Sequence, residues 1–207
     1  TAAYQYLIMG SIGATFIVIG IGMMYVMTGS LNMADLSVIL SELGPNRTIA
    51  VAFGFLTVGI SLKLALFPLH LWLPNAYTYA PSTVTAFIAS TATKVAVYML
   101  LRFFFTVFGF AFSFNVMRLD LVLLPLALVA IFSMSLVAIF QDNVKRMLAY
   151  SSVAQIGYMI LGISMASVTG LTATILHLFN HAMIKGALFM AMGCVMYRVG
   201  SVEIEAM

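Results

Sequence analysis

Apolar residues run through the chain in six long stretches, and polar residues gather in the short gaps between them. The stretches fall at about 4–27, 48–73, 82–108, 119–140, 147–166 and 169–197. None alternates with period two. Each is about 20 residues or more, the length a helix needs to cross roughly 30 Å of hydrocarbon. The pattern predicts an all-α, polytopic transmembrane helix bundle of about six spans.

Departures from uniform apolarity give the spans their character. In the first span, Gly10 and Gly13 would allow a close helix approach of the small-residue kind. Between the first two spans lies the longest polar loop, Gly29 to Arg47. There Asn32, Asp35, Glu42, Gly44 and Pro45 predict a short amphipathic piece at the interface. The second span carries Pro68 and Pro74, which should both break it, so that the carbonyls freed near Phe67 need protein or water as partners. Discontinuous helices at membrane depth are typical of transport sites.

Pro81 and Ser82 open the third span, and Arg118 and Asp120 flank the start of the fourth. The densest basic point is Gln141 to Arg146, which the positive-inside tendency places in the cytoplasm. The start of the first span, the turn after the second and the C-terminal end then share that side. No repeat, low-complexity tract or linker divides the chain, so residues 1–207 read as a single transmembrane domain. Its ends at Thr1 and Met207 suggest truncation on both sides, and no cleavable signal-peptide pattern precedes the first span.

Composition narrows the function classes. With 63% hydrophobic and 7% charged residues, the chain has too little polar surface to coat a water-soluble globule. The net charge of +3 is small and unclustered, so nucleic acid is not an expected partner. The lone Cys194 forms no internal disulfide and reads as a small packing residue.

Against this background three lysines stand out. Lys63, Lys94 and Lys185 lie near the middle of apolar stretches, where a charge is costly and marks function. An amine that sheds its charge when desolvated can pass protons. On the last span His177, His181 and Lys185 are spaced four apart. At about 100° per residue they share a stripe roughly 80° wide and about 12 Å long. Imidazole carries a proton on either nitrogen, so the line reads as a relay in which one bound charge disturbs the next. Static ion pairs are the alternative for the lysines, a satisfied core histidine for the imidazoles, and a snorkelling position for Lys63. Metal or haem ligation lacks further ligands, since the one other histidine, His70, sits beside the predicted break with no cysteine or carboxylate cluster. Tyr150, Ser151, Ser152 and Gln155 could support waters along the line or serve as ordinary interhelical contacts.

The segments KLALFPLHLWLPNAYTYAP (Lys63 to Pro81), TATKVAVYMLLRF around Lys94, DNVKRMLAYSSVAQIGYM (Asp142 to Met159) and HLFNHAMIKGALF (His177 to Phe189) occur in one order. Together they resemble the antiporter-like proton-translocating membrane subunits shared by respiratory complex I, Mrp-type cation/proton antiporters and membrane-bound hydrogenases. The last segment is most similar to the Mrp D-type subunit. The resemblance implies that Lys63 is the proton-binding lysine of the broken helix, that Lys94 links it towards the centre, and that His177, His181 and Lys185 continue the hydrophilic axis. His70 would be auxiliary. The chain would then be the central part of a larger subunit, lacking the family's glutamate before the first span and a second broken helix after the last.

The implied function is proton translocation within a multisubunit monovalent cation/proton antiporter in a prokaryotic cell (inner) membrane. Its partners would be other membrane subunits, the lipid bilayer, protons and Na+ or K+. The alternative is the pumping arm of an NADH:quinone oxidoreductase or hydrogenase. No cofactor or metal site is expected within these residues, and any redox chemistry would belong to partner subunits.

Overall fold

A computed structural model describes residues 1–206. Eight α-helices follow one another: α1 (Ala2–Thr28), α2 (Met33–Leu43), α3 (Arg47–Leu64), α4 (Trp72–Tyr79), α5 (Ser82–Leu101), α6 (Leu119–Ile139), α7 (Val144–Ser164) and α8 (Val168–Val199). Two π-helical segments, Arg102–Val107 and Ala111–Val116, lie between α5 and α6. Six of the helices are long and apolar enough to cross a membrane, with α5 extended by the first π segment to Val107. This is the all-α, multi-pass bundle that the apolar stretches predict.

Starts are written locally. Asn32, Asn46, Asn143 and Ser167 each accept a backbone N–H of the first turn of α2, α3, α7 and α8, satisfying donors that a helix leaves without a partner. The expected amphipathic piece is α2, which buries Leu36 and Leu40.

The second span is broken as its prolines suggest, but by only one of them. α3 ends at Leu64 with Ala65 in the left-handed region, and residues 65–71 are irregular around Pro68 before α4 begins at Trp72. Pro74 does not break the helix, contrary to the expectation from its residue type. Instead it sits in the first turn of α4, where its missing N–H would have had no helical partner anyway.

A second correction concerns the glycines. Nothing lies within 4 Å of where a Gly10 side chain would project. The close approach runs through Gly13 and Gly20 on α1 and Gly59 on α3: a Cβ on Gly59 would sit 2.8 Å from the Gly13 carbonyl oxygen and 2.9 Å from the Ile17 nitrogen. Packing of this kind, rather than a hydrophobic driving force, holds helices together in lipid.

The segment after α5 departs from the apolar pattern, which shows only a gap there. The chain turns at Gly109, whose φ of 79° is a conformation that a side chain would strain. It then runs back as the second π segment. Aromatic contacts hold it, with Phe53 of α3 against Phe104, Phe108 and Phe112 at centroid distances of 5.5, 4.9 and 5.6 Å.

α5 and α8 pack antiparallel, with Ser90 opposite Gly186 and Ser82 opposite Gly193. Lys94, one turn beyond Ser90, therefore lies level with the turn of α8 that precedes Gly186, where His181 stands. α7 packs on α6, α8 and α4.

The segments expected on one side of the membrane are joined to each other. Val144 donates to the Val202 carbonyl and Ile204 to that of Asp142, both at 2.9 Å. Asn143 bonds Glu203 at 2.8 Å, and Asn75 of α4 bonds Gln5 of α1 at 2.8 Å.

Candidate functional site

Lys94 and Lys185 are both buried, at 6% and 3% exposure. The Lys185 amine crosses from α8 to α7, donating to the Leu148 carbonyl at 2.8 Å and the Ser151 hydroxyl at 3.1 Å. The Lys94 amine turns back along α5 to the Ala89 carbonyl and lies 3.3 Å from the Thr93 hydroxyl. Lys94 is within electrostatic reach of Lys185 and of both histidines of α8.

His181 is buried, and neither of its ring nitrogens meets a hydrogen-bond partner among the described residues. His177, one turn away and half-buried, leaves Nε2 without a partner. His181 and Lys185 lie on the buried face of α8 with Thr174, Phe189 and Met192, while Phe179, Met183 and Ile184 face out.

Among the described residues no carboxylate enters this group. Among the described residues the single ion pair is Arg118 with Asp120 at 3.5 Å, at the start of α6. Asp35, Glu42, Asp142, Glu203 and Glu205 are all exposed. Static ion pairing within this chain therefore does not account for Lys94 or Lys185. Backbone carbonyls and hydroxyls do solvate the two amines, and such neutral acceptors permit an amine to gain or lose a proton without breaking a salt bridge.

The other two candidates stand apart. Lys63 is exposed and lines an open cleft of about 320 Å³ with Tyr6, Leu62, Trp72 and Ala92. His70 is buried in the irregular segment, its ring stacked on Phe67 at 5.3 Å with Nδ1 unpartnered. No group of three or more metal-ligating side chains occurs among the described residues.

Sequence reasoning missed three residues. Trp72, the lone tryptophan, donates its indole N–H to the Leu62 carbonyl at 2.9 Å and so closes the break beside Lys63. Tyr77 is 1% exposed, with a hydroxyl that meets no hydrogen-bond partner among the described residues. Lys145 counts towards the cytoplasmic charge in the sequence, yet it is 4% exposed, with its amine 2.6 Å from the Ala80 carbonyl. For Trp72 a signal existed, since a polar-tipped aromatic beside a proline break is suited to cap a freed carbonyl.

The family described as NADH:quinone oxidoreductase/Mrp antiporter, TM, matches residues 1–207. The chain belongs to that family. It is 45% identical over 199 residues to the N-type subunit of the NADH-quinone oxidoreductase of Desulforudis audaxviator, covering 96% of this chain and 39% of that relative. It is 30% identical over 203 residues to the D-type subunit of the Na(+)/H(+) antiporter of Alkalihalophilus pseudofirmus, covering 98% and 40%. A chain of the Mrp complex from Dietzia sp. DQ12-45-1b superposes with a TM-score of 0.87 at 30% identity, covering 98% of this chain and 36% of that one. The chain thus spans about 40% of the length of the curated relatives it matches. This membership accords with the multi-pass bundle and with the resemblance drawn from the Lys63, Lys94, Asp142 and His177 segments.

Proposed function

We propose that this chain is the central part of a proton-translocating subunit of a multisubunit monovalent cation/proton antiporter. In this reading Lys94, His177, His181 and Lys185 carry protons along the interior, with Lys63 at the break as the site that supplies them and His70 beside it in support. One observation carries the reading: two buried amines and a buried, unpartnered imidazole lie together between α5, α7 and α8 with no carboxylate among them.

Such an arrangement suits transfer rather than static charge storage. Each amine rests on neutral oxygens, so losing its proton leaves no anion stranded. His181 can take a proton on one nitrogen and release one from the other. Because the groups interact across a medium of low dielectric, charge arriving at Lys94 repels charge at Lys185, and occupancy at one end is felt at the other. Partner subunits would complete the path for the exchanged Na+ or K+.

A second reading is favoured by the 45% identity to a subunit named for NADH-quinone oxidoreductase. There the same groups would serve the pumping arm of a redox complex whose electron carriers lie in other subunits. The subunits that co-purify with the full-length protein separate the two: a nucleotide- or iron–sulfur-binding partner selects the redox complex.

The test common to both is replacement of Lys94 or Lys185 by Ala in the full-length subunit, reconstituted with its partners in proteoliposomes. Loss of proton-coupled transport with assembly intact is expected. Native transport in both variants would overturn the proposal.

A further inference from the structure

Lys145 is a buried amine that the proton line does not use. It lies in the first turn of α7, where its own helix dipole disfavours positive charge. It is 4% exposed and forms no salt bridge among the described residues. What holds it is a contact 65 positions away in sequence: its amine donates at 2.6 Å to the carbonyl of Ala80, the residue just past the end of α4. The same carbonyl also accepts the Thr85 hydroxyl of α5, at the longer distance of 3.4 Å.

Each end of α4 is therefore tied to a different body. Its head follows the irregular segment 65–71 and is held to α3 by the Trp72 indole on the Leu62 carbonyl, next to Lys63. Its foot is held to α7 by Lys145. Within the next two turns of α7, Leu148 and Ser151 supply both acceptors of the Lys185 amine. A short stretch of α7, 145–151, thus grips the broken helix with one side chain and Lys185 with two oxygens.

The geometry points to Lys145 as a positioning residue that ties the broken helix to the part of α7 that holds Lys185, setting their separation without carrying protons itself. This rests on the proton-carrying reading above. Burial of an amine is costly unless its donors are satisfied, so the contact with Ala80 is not an incidental surface bond. Removing it would free α4 to shift against α7, and a displacement of that kind in a relay costs rate rather than affinity.

The test uses the full-length subunit in its complex, reconstituted in proteoliposomes, with Lys145→Met, which fills the volume without a donor, and Lys145→Arg, which keeps one. For Lys145→Met the maximal transport rate should fall on the order of tenfold. The pH giving half-maximal rate should stay where it is, and amides 72–80 should exchange hydrogen faster. Lys145→Arg should restore both rate and protection. Native rate with native protection in Lys145→Met overturns the inference, as does a displaced pH dependence, which would make Lys145 a proton carrier. If Lys145→Met fails to accumulate in membranes, Lys145→Arg decides: native rate and protection support the tie, and loss of either overturns it. Should Lys94→Ala and Lys185→Ala both transport normally, the proton-carrying reading fails, while exchange at 72–80 still reports whether Lys145 holds α4.

Discussion

His177 and His181 stack one turn apart on α8, their ring centroids separated by 6.0 Å and their planes within 3° of parallel. The stack runs from a half-buried ring to a fully buried one, so it leads from the edge of the bundle to the level of Lys94. Only His181 is enclosed on all sides.

That difference predicts unequal consequences. His181→Ala should reduce proton-coupled transport by about an order of magnitude or more, in the range usual for loss of a proton-transfer group. His177→Ala should cost less, because a half-buried position can be replaced by water. Proton uptake into proteoliposomes measures both, and equal losses would contradict a graded line.

Arginine should not replace either buried lysine. Lys94→Arg and Lys185→Arg keep the charge and the donors, but a guanidinium does not release its proton at accessible pH. Both variants should assemble and fail to transport. Activity in Lys94→Arg would show that this group need not cycle between its charged and neutral forms.

Gly59→Ala should destabilise the α1–α3 pair by about 1–3 kcal/mol, since the added methyl would press on the Gly13 carbonyl and on Ile17. Gly10→Ala should change little, with nothing within 4 Å of its position. Thermal unfolding of the two variants in mild detergent compares them directly.

Trp72→Phe should leave the Leu62 carbonyl with only the Ala65 N–H at 3.2 Å, removing the tie between α4 and α3, and should weaken the edge-on contact with Tyr6 at 5.3 Å. A cost of about 0.5–1.5 kcal/mol is expected for one lost hydrogen bond at an acceptor that keeps a second donor. The measurement is again the unfolding temperature, accompanied by faster hydrogen exchange at residues 65–71.

Much of this molecule is legible in its sequence. Six apolar stretches fixed by bilayer thickness became six spans, and four-residue spacing on α8 was enough to align His177, His181 and Lys185. Asparagine and serine caps at the starts of α2, α3, α7 and α8 are a further local signal, on which the apolar pattern did not draw, because capping is satisfied within a few residues of chain. Pro68 marked the break, since a proline in a helix interior removes a hydrogen bond and crowds the preceding turn, but Pro74 in a first turn and Pro125 inside α6 show that residue type alone does not decide it.

What the chain could not reveal by itself depended on partners distant in sequence. Lys63, Lys94 and Lys185 look alike as lysines in apolar runs, yet one faces an open cleft and two are enclosed, which only the packing of α5, α7 and α8 decides. Of the two glycines expected to pack, Gly13 meets Gly59 of α3 and Gly10 meets nothing, because helix rotation, not spacing, selects which small residue faces a neighbour. Lys145 reads as an interfacial charge until Ala80 is found beside it. Local sequence governs hydrogen bonds made within a turn or two, whereas the surroundings of a buried charge are set by which helices meet and at what rotation.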